Sequence, residues 1–66
     1  MKLRLNGEPY DARPGMTLGE LLAELNLAGA KVAVAVNGSV APRAGHSERR
    51  LAEGDEVEVI QAVAGG

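Results

Sequence analysis

The opening stretch MKLRLNGEPYDA, residues 1–12, decides the fold because it sets the pairing of the first two strands. Apolar and polar residues alternate over its first positions, which is the pattern of a strand with one buried face. Asn6-Gly7 follows, and this pair is typical of a type I′ turn, whose two central residues both take positive φ. A two-residue turn places Leu3 opposite Tyr10, so Tyr10 joins the apolar face. The stretch therefore predicts a β-hairpin of known register.

Three further features of the hairpin follow from that register. Lys2 lies opposite Asp11 on the polar face, which predicts an exposed cross-strand ion pair. Pro9 has no N–H to donate, so the second strand is expected at an edge of the sheet. Ala12 continues the apolar face beyond the second strand.

A short amphipathic helix is predicted after the hairpin, over about residues 18–25. Thr17 and Glu20 have the spacing of a capping box, in which each side chain accepts a hydrogen bond from the other residue's backbone N–H. The helix is expected to end at Asn26, because asparagine tolerates the left-handed conformation found at helix ends. Its buried stripe consists of four leucines at helical spacing, namely Leu18, Leu21, Leu22 and Leu25.

The remainder of the chain contains more strands than helices. Asn37-Gly38 marks a second tight turn, and alternation in the last strand places Val57 and Val59 inward. Three further strands are predicted, over residues 32–36, 39–41 and 56–63.

The order of hairpin, helix, two strands, loop and final strand is that of the β-grasp, or ubiquitin-like, fold, which belongs to the α+β class. We expect a mixed sheet of four to five strands, with the first and last strands parallel at its centre and the helix across one face. One domain is expected over residues 1–63, followed by a flexible tail over residues 64–66. The predicted core consists of Leu3, Leu5, Tyr10, Leu18, Leu21, Leu22, Leu25, Val32, Val34, Val36, Leu51, Val57 and Val59.

Length and composition argue against several classes of function. A chain of 66 residues leaves little room for an enclosed pocket, so we do not expect an enzyme. The absence of cysteine and the single histidine argue against a disulfide scaffold and a zinc site. A net charge of −2 argues against a duplex-binding surface and a polybasic membrane anchor. These features predict a small cytoplasmic domain that binds no metal or cofactor of its own.

Residues 43–50 are polar and show no hydrophobic period, which indicates a solvated loop with one tight turn. The loop contains His46 next to Ser47. Adjacent residues rarely present a nucleophile to its base, so we expect His46 to be solvated and the pair to have no catalytic role.

The ending Gly65-Gly66 has a chemical use. Without Cβ atoms, such a tail can enter a narrow cleft on another protein and deliver its terminal carboxylate. A carboxylate is a poor acyl donor, but its attack on the α-phosphate of ATP gives an acyl adenylate with AMP as a good leaving group. Sulfur transfer to that carbonyl then yields a thiocarboxylate. We therefore interpret Gly66 as a site of covalent modification, with Ala64 and Gly65 leading to it.

Four short motifs occur in order along the chain, namely Val36-Asn37-Gly38, Pro42-Arg43, Gly54-Asp55-Glu56-Val57 and Val63-Ala64-Gly65-Gly66. Together they resemble the ThiS family of sulfur carriers for thiamine thiazole synthesis, and the similarity covers essentially the whole chain. The resemblance implies adenylation of Gly66 by an E1-like adenylyltransferase of the ThiF type, which uses ATP and magnesium. It also implies sulfur from a cysteine desulfurase persulfide and delivery to a thiazole synthase of the ThiG type.

Other functions stay open at this point. MoaD, the small subunit of molybdopterin synthase, shares the fold, tail and activation, and carriers for tRNA thiolation are a further possibility. The Pro42-Arg43 and Ile60-Gln61-Ala62-Val63 stretches favour ThiS, because MoaD-like chains tend to be longer and often approach the tail with Pro-Pro or Phe-rich sequence. A ubiquitin-like modifier would form a conjugate rather than a thioacid, and in a plain interaction domain the diglycine would be accidental.

A docking surface is predicted beside the tail. The inward valines of the last strand leave Ile60 and Ala62 pointing outward. If the third strand neighbours the last, Ala33 and Ala35 lie on the same outer face, and a contiguous apolar patch often marks an interface. The predicted partner-binding residues are Ile60, Ala62, Ala33, Ala35 and Glu58, with Arg43 added from the ThiS resemblance.

Overall fold

A computed structural model of the chain describes residues 1–27 and 32–61. These residues form a five-stranded mixed sheet and one α-helix. The strands are β1 (Lys2–Leu5), β2 (Glu8–Asp11), β3 (Val32–Val36), β4 (Ser39–Val40) and β5 (Glu56–Gln61), and the helix α1 spans Leu18–Glu24. The strand order is β2-β1-β5-β3-β4, with β1 and β5 parallel at the centre. The β-grasp prediction is confirmed, while the predicted extension of β5 to residue 63 lies outside the described residues.

The hairpin has the register that its turn predicts. Asn6 and Gly7 take φ angles of 52° and 83°, as a type I′ turn requires. Leu3 lies opposite Tyr10, so both face the helix side of the sheet. β2 is an edge strand, which agrees with the proline in it.

The predicted ion pair between Lys2 and Asp11 is wrong. The two residues are backbone partners, but the Asp11 carboxylate lies 3.7 Å from the N-terminal amine of Met1. That amine also donates a hydrogen bond to the carbonyl of Ala12 at 2.9 Å, which holds it beside Asp11. The amine therefore takes the position that the sequence assigned to the lysine.

Both ends of α1 are capped as predicted. The Glu20 N–H donates to Thr17 Oγ1 at 3.2 Å, and the Thr17 N–H donates to Glu20 Oε1 at 2.9 Å. At the other end Asn26 has a φ of 62°, and the Leu27 N–H donates to the Leu22 carbonyl at 2.7 Å. This closing turn returns Leu27 to the edge of the core.

Within the described ranges, no helix has the length and apolar character needed to cross a membrane.

The core lies between α1 and the inner face of the sheet. Every predicted core residue is either buried or packed against the buried cluster. Three further apolar residues are buried that the predicted core omitted, namely Ala12, Met16 and Ala41. The most deeply buried large side chains are Met16, Leu18, Leu21, Val34, Val36 and Val57.

A polar contact joins β2 to α1. The Tyr10 hydroxyl donates to Glu24 Oε1 at 2.8 Å, and Arg13 lies 3.4 Å from the other oxygen of the same carboxylate. The hydrogen bond raises the pKa of Tyr10, because it is made by the neutral hydroxyl; burial and the charge of Glu24 raise it further, and Arg13 opposes them. The protonated tyrosine therefore stabilises the packing of the hairpin on the helix.

Most side chains of residues 43–50 are exposed, as their polarity predicts, but the backbone of this segment is bound to α1. A 3₁₀ turn spans Arg43–Gly45, and the segment then docks on the first turn of α1. The Leu18 N–H donates to the Arg49 carbonyl at 2.8 Å. The first N–H groups of a helix have no intrahelical acceptor, so carbonyl groups of this segment take that role.

His46 is buried, and its predicted solvated position is wrong. The residue is 8% exposed, and its Nε2 lies 3.0 Å from the carbonyl oxygen of Ala41. The backbone here approaches the helix closely, since the Gly19 N–H donates to the His46 carbonyl at 2.9 Å. A Cβ at Gly19 would lie 3.3 Å from the Cα of Ser47, which is closer than ordinary van der Waals contact. The absence of a side chain at Gly19 therefore allows the backbone at His46 and Ser47 to approach α1 this closely.

The second Asn-Gly turn is joined to the beginning of β5. Asn37 and Gly38 have φ angles of 53° and 83°. The Glu56 N–H donates to Asn37 Oδ1 at 2.9 Å, and Asn37 Nδ2 donates to Asp55 Oδ1 at 3.0 Å. Asp55 also accepts from the Ala52 N–H at 2.8 Å. The motifs around Asn37 and Asp55, distant in sequence, thus form one structural unit.

Candidate functional site

The outer face of the sheet, opposite α1, contains the predicted docking surface. β3 and β5 are antiparallel neighbours, with Ala33 opposite Ile60 and Ala35 opposite Glu58. Ile60 is 63% exposed, whereas Val59 next to it packs against the core. The alternation in β5 therefore assigned Ile60 to the correct face.

Val40 belongs to the same surface and was missing from the sequence prediction. It lies opposite Ala35 in the pairing of β4 with β3, and it is 77% exposed. The two-residue Asn37-Gly38 turn determines this register, so the sequence contained the signal. We define the outer apolar patch as Ala33, Ala35, Val40 and Ile60. Val40 and Ile60 are the large apolar side chains that remain exposed among the described residues.

Charged residues border the outer apolar patch on the side of β1. Glu56 and Glu58 lie on the same face of β5 as Ile60, and Arg4 of β1 lies opposite Glu56. The Arg4 guanidinium donates to the Gly7 carbonyl at 2.7 Å, which holds it at the end of the hairpin. An apolar centre with a charged rim is the usual composition of a protein interface.

Arg43 is not part of this surface. It lines a groove of about 220 Å³ on the helix side of the sheet, together with Leu22, Val32 and His46. The two faces of a strand point in opposite directions, so a partner that covers Ile60 does not reach this groove from the same side. The structure therefore separates Arg43 from the other predicted partner-binding residues that it describes.

The predicted tail residues lie outside the described residues. Ala62, Ala64, Gly65 and Gly66 all follow residue 61, so their predicted roles stay predictions. The described part of β5 is the central strand of the sheet, between β1 and β3, and its last residues lead directly to that segment.

The comparison with protein families covers both the described residues from Leu3 onward and the tail. A sequence model of the ThiS family matches residues 3–66. The chain belongs to the ThiS family. The resemblance that the four motifs indicate is thereby confirmed.

Two full-length relatives support the assignment. The sulfur carrier protein ThiS of Escherichia coli is 30% identical to this ThiS-family chain over 66 residues, which is all of both proteins. The crystal structure of a thiamine biosynthesis protein (ThiS) from Geobacter metallireducens has a TM-score of 0.85 and 33% identity, again over the whole of both chains.

Two longer relatives have a different name. A thiazole synthase of Magnetococcus marinus is 44% identical to this ThiS-family chain over all 66 residues. A thiazole synthase of Paramagnetospirillum magneticum is 35% identical over the same length. The chain spans 20% of each of these proteins, so the similarity concerns one segment of a larger polypeptide.

Proposed function

We propose that this chain is a sulfur carrier for synthesis of the thiamine thiazole. In this proposal the carboxylate of Gly66 carries the sulfur, as a thiocarboxylate. The observation that supports it most is the match of the ThiS family to residues 3–66, a span that includes Gly65-Gly66. A relative named sulfur carrier protein ThiS matches over its full length, which supports the same conclusion.

The chemistry begins with activation of the carboxylate by ATP. The Gly66 carboxylate oxygen attacks the α-phosphorus, pyrophosphate leaves, and an acyl adenylate forms. The terminal sulfur of a persulfide then attacks the carbonyl carbon and displaces AMP. A thiol cleaves the resulting acyl disulfide, which leaves a thiocarboxylate on the carrier. An activating enzyme provides the ATP and magnesium site, and the carrier provides the acyl group.

The fold supports presentation of such a tail to an enzyme. β5 is paired with β1 on one side and with β3 on the other, so its course is set by the sheet. Ile60, in the outer apolar patch, is separated from Gly66 by five residues. A protein that covers the patch therefore also meets the beginning of the tail, and binding there contributes to orienting the reactive carboxylate.

We propose three partners for the cycle. An E1-like adenylyltransferase of the ThiF type activates the carrier, a cysteine desulfurase persulfide provides sulfur, and a thiazole synthase of the ThiG type accepts it. The two thiazole synthases that contain a segment similar to this chain support the last pairing. Because activation consumes ATP, we place the reaction in the cytoplasm.

Mass spectrometry tests the proposal. Incubation with the adenylyltransferase, Mg-ATP and a persulfide donor should add the mass difference of sulfur for oxygen at Gly66 alone. Without the sulfur donor, an acyl adenylate should form and be detected as ATP–pyrophosphate exchange. A wild-type terminus that never accepts AMP from such an enzyme would refute the sulfur-carrier function.

Two tail variants make the test specific. Deleting Gly66 moves the reactive carbon back by roughly 3.3–3.6 Å of extended chain. A misplacement near 1 Å can cost about a hundredfold in rate, so the deletion should abolish activation. Gly65→Val should do the same by adding a β-branched side chain in the cleft. Ser47→Ala, at an exposed position, is the control and should be thiolated normally.

A further inference from the structure

The last part of β5 extends beyond the strand that flanks it on one side. β1 pairs with β5 through Arg4 with Glu56 and Leu5 with Val57, and the hairpin then turns away. On the other side, pairing with β3 continues to Gln61. Beyond Val57, β5 therefore has a neighbouring strand on one side only.

The side chain of Asn6 occupies the position where β1 would have continued. The Asn6 N–H donates to the Val57 carbonyl at 2.9 Å, which completes the parallel ladder. The next N–H on that edge, of Val59, donates to Asn6 Oδ1 at 2.8 Å. A side-chain amide thus replaces the backbone carbonyl that a longer β1 would have offered. The left-handed backbone of Asn6, with φ of 52°, is the conformation in which this contact is made.

We propose that Asn6 is a positioning residue for the sulfur-carrier reaction. Its amide oxygen holds the end of β5 against β1 and so directs the segment that leads from Val59 to Gly66. This role rests on the proposed function, because it matters only if the tail is delivered to an active site. Asn6 itself touches no reacting atom in this proposal.

The position of Val59 explains why one hydrogen bond affects the tail. Val59 precedes Ile60 of the outer apolar patch, so the bond lies between the docking surface and the tail. Without it, the patch can still dock, but the backbone at the end of β5 is hydrogen-bonded to β3 alone. We therefore expect loss of this hydrogen bond to lower the kcat of adenylation and to leave KM unaltered, because binding through the patch is retained.

Three variants separate positioning from general stability. Asn6→Gly removes the amide oxygen and keeps a residue that adopts positive φ without strain. Asn6→Asp keeps an acceptor oxygen at the same atom position and also tolerates this turn conformation. Asn37→Gly is the matched control, since it removes an asparagine side chain from the other type I′ turn, at the beginning of β5 instead of its end.

The experiment measures adenylation kinetics of the full chain together with amide exchange at Val59. Asn6→Gly should lower kcat roughly tenfold, near the upper range for loss of one net hydrogen bond, and should speed exchange of the Val59 amide. Asn6→Asp should stay within about twofold of wild type. Asn37→Gly should retain wild-type kcat, and urea unfolding of both glycine variants shows whether they lose comparable stability.

Each failure has a distinct signature. Wild type and Asn6→Gly adenylated at the same kcat would overturn the positioning role and leave the sulfur-carrier function standing. An equal loss of kcat in Asn37→Gly would also overturn it, because the effect would then follow stability. Wild type that is not adenylated at all would overturn the proposed function and the positioning role together.

Discussion

Replacing Ile60 by glutamate should separate docking from folding. Full burial of an isoleucine side chain is worth about 1.5–3 kcal/mol. Ile60 is 63% exposed, so burying this exposed part of the side chain on binding contributes about 1–2 kcal/mol. That range corresponds to roughly a five- to thirtyfold change in Kd. Ile60→Ala should lose about this much, and Ile60→Glu more, because a second carboxylate would be desolvated beside Glu58.

The fold should tolerate the same change. Ile60 points away from the core, so the cost in unfolding free energy should be about 0.5–1 kcal/mol, mostly from lower β-propensity. Isothermal titration calorimetry with the adenylyltransferase measures Kd, and urea unfolding measures stability. Ala23→Glu adds the same charge on the exposed side of α1 and should leave Kd unchanged. A folded Ile60→Glu protein that binds with wild-type Kd would remove the outer apolar patch from the docking surface.

Two further predictions concern stability. Gly19→Ala should lower the urea midpoint by an amount equivalent to about 1 kcal/mol, because the new Cβ would press on the backbone at Ser47 and displace the segment that caps α1. We expect this loss to outweigh the gain in helix propensity. An unchanged or raised midpoint would contradict the close approach of the two backbones. The second prediction concerns the hydrogen bond from Tyr10 to Glu24. Because the pKa of Tyr10 is raised in the folded state, the stabilisation from this bond is fully present below pH 10.0 and is lost as pH rises through the folded pKa. Wild type should therefore lose stability above that pH more steeply than Tyr10→Phe, as measured by urea unfolding at a series of alkaline pH values; parallel curves would refute the assignment.

The sequence by itself determined the features that depend on residues a few positions apart. The hairpin register follows from Asn6-Gly7, the helix beginning from Thr17 and Glu20, and the outward position of Ile60 from alternation in β5. In each case the deciding interaction is a turn, a cap or the two-residue period of a strand. Local backbone geometry sets these interactions before distant parts of the chain meet. The four short motifs between Val36 and Gly66 likewise sufficed for the family, which the match over residues 3–66 confirms.

Tertiary structure alone decided how distant segments satisfy one another's hydrogen bonds. The polarity of residues 43–50 predicted a solvated loop, and most of their side chains are exposed, yet two of their carbonyl groups accept hydrogen bonds from N–H groups of α1, and His46 is buried. The same docking places Arg43 on the helix side, away from the outer apolar patch. Asn6 and Val59 meet across 53 positions of sequence. Composition identifies a polar group, but whether water or a remote backbone group is its partner depends on which unpaired donors and acceptors the folded chain brings within reach.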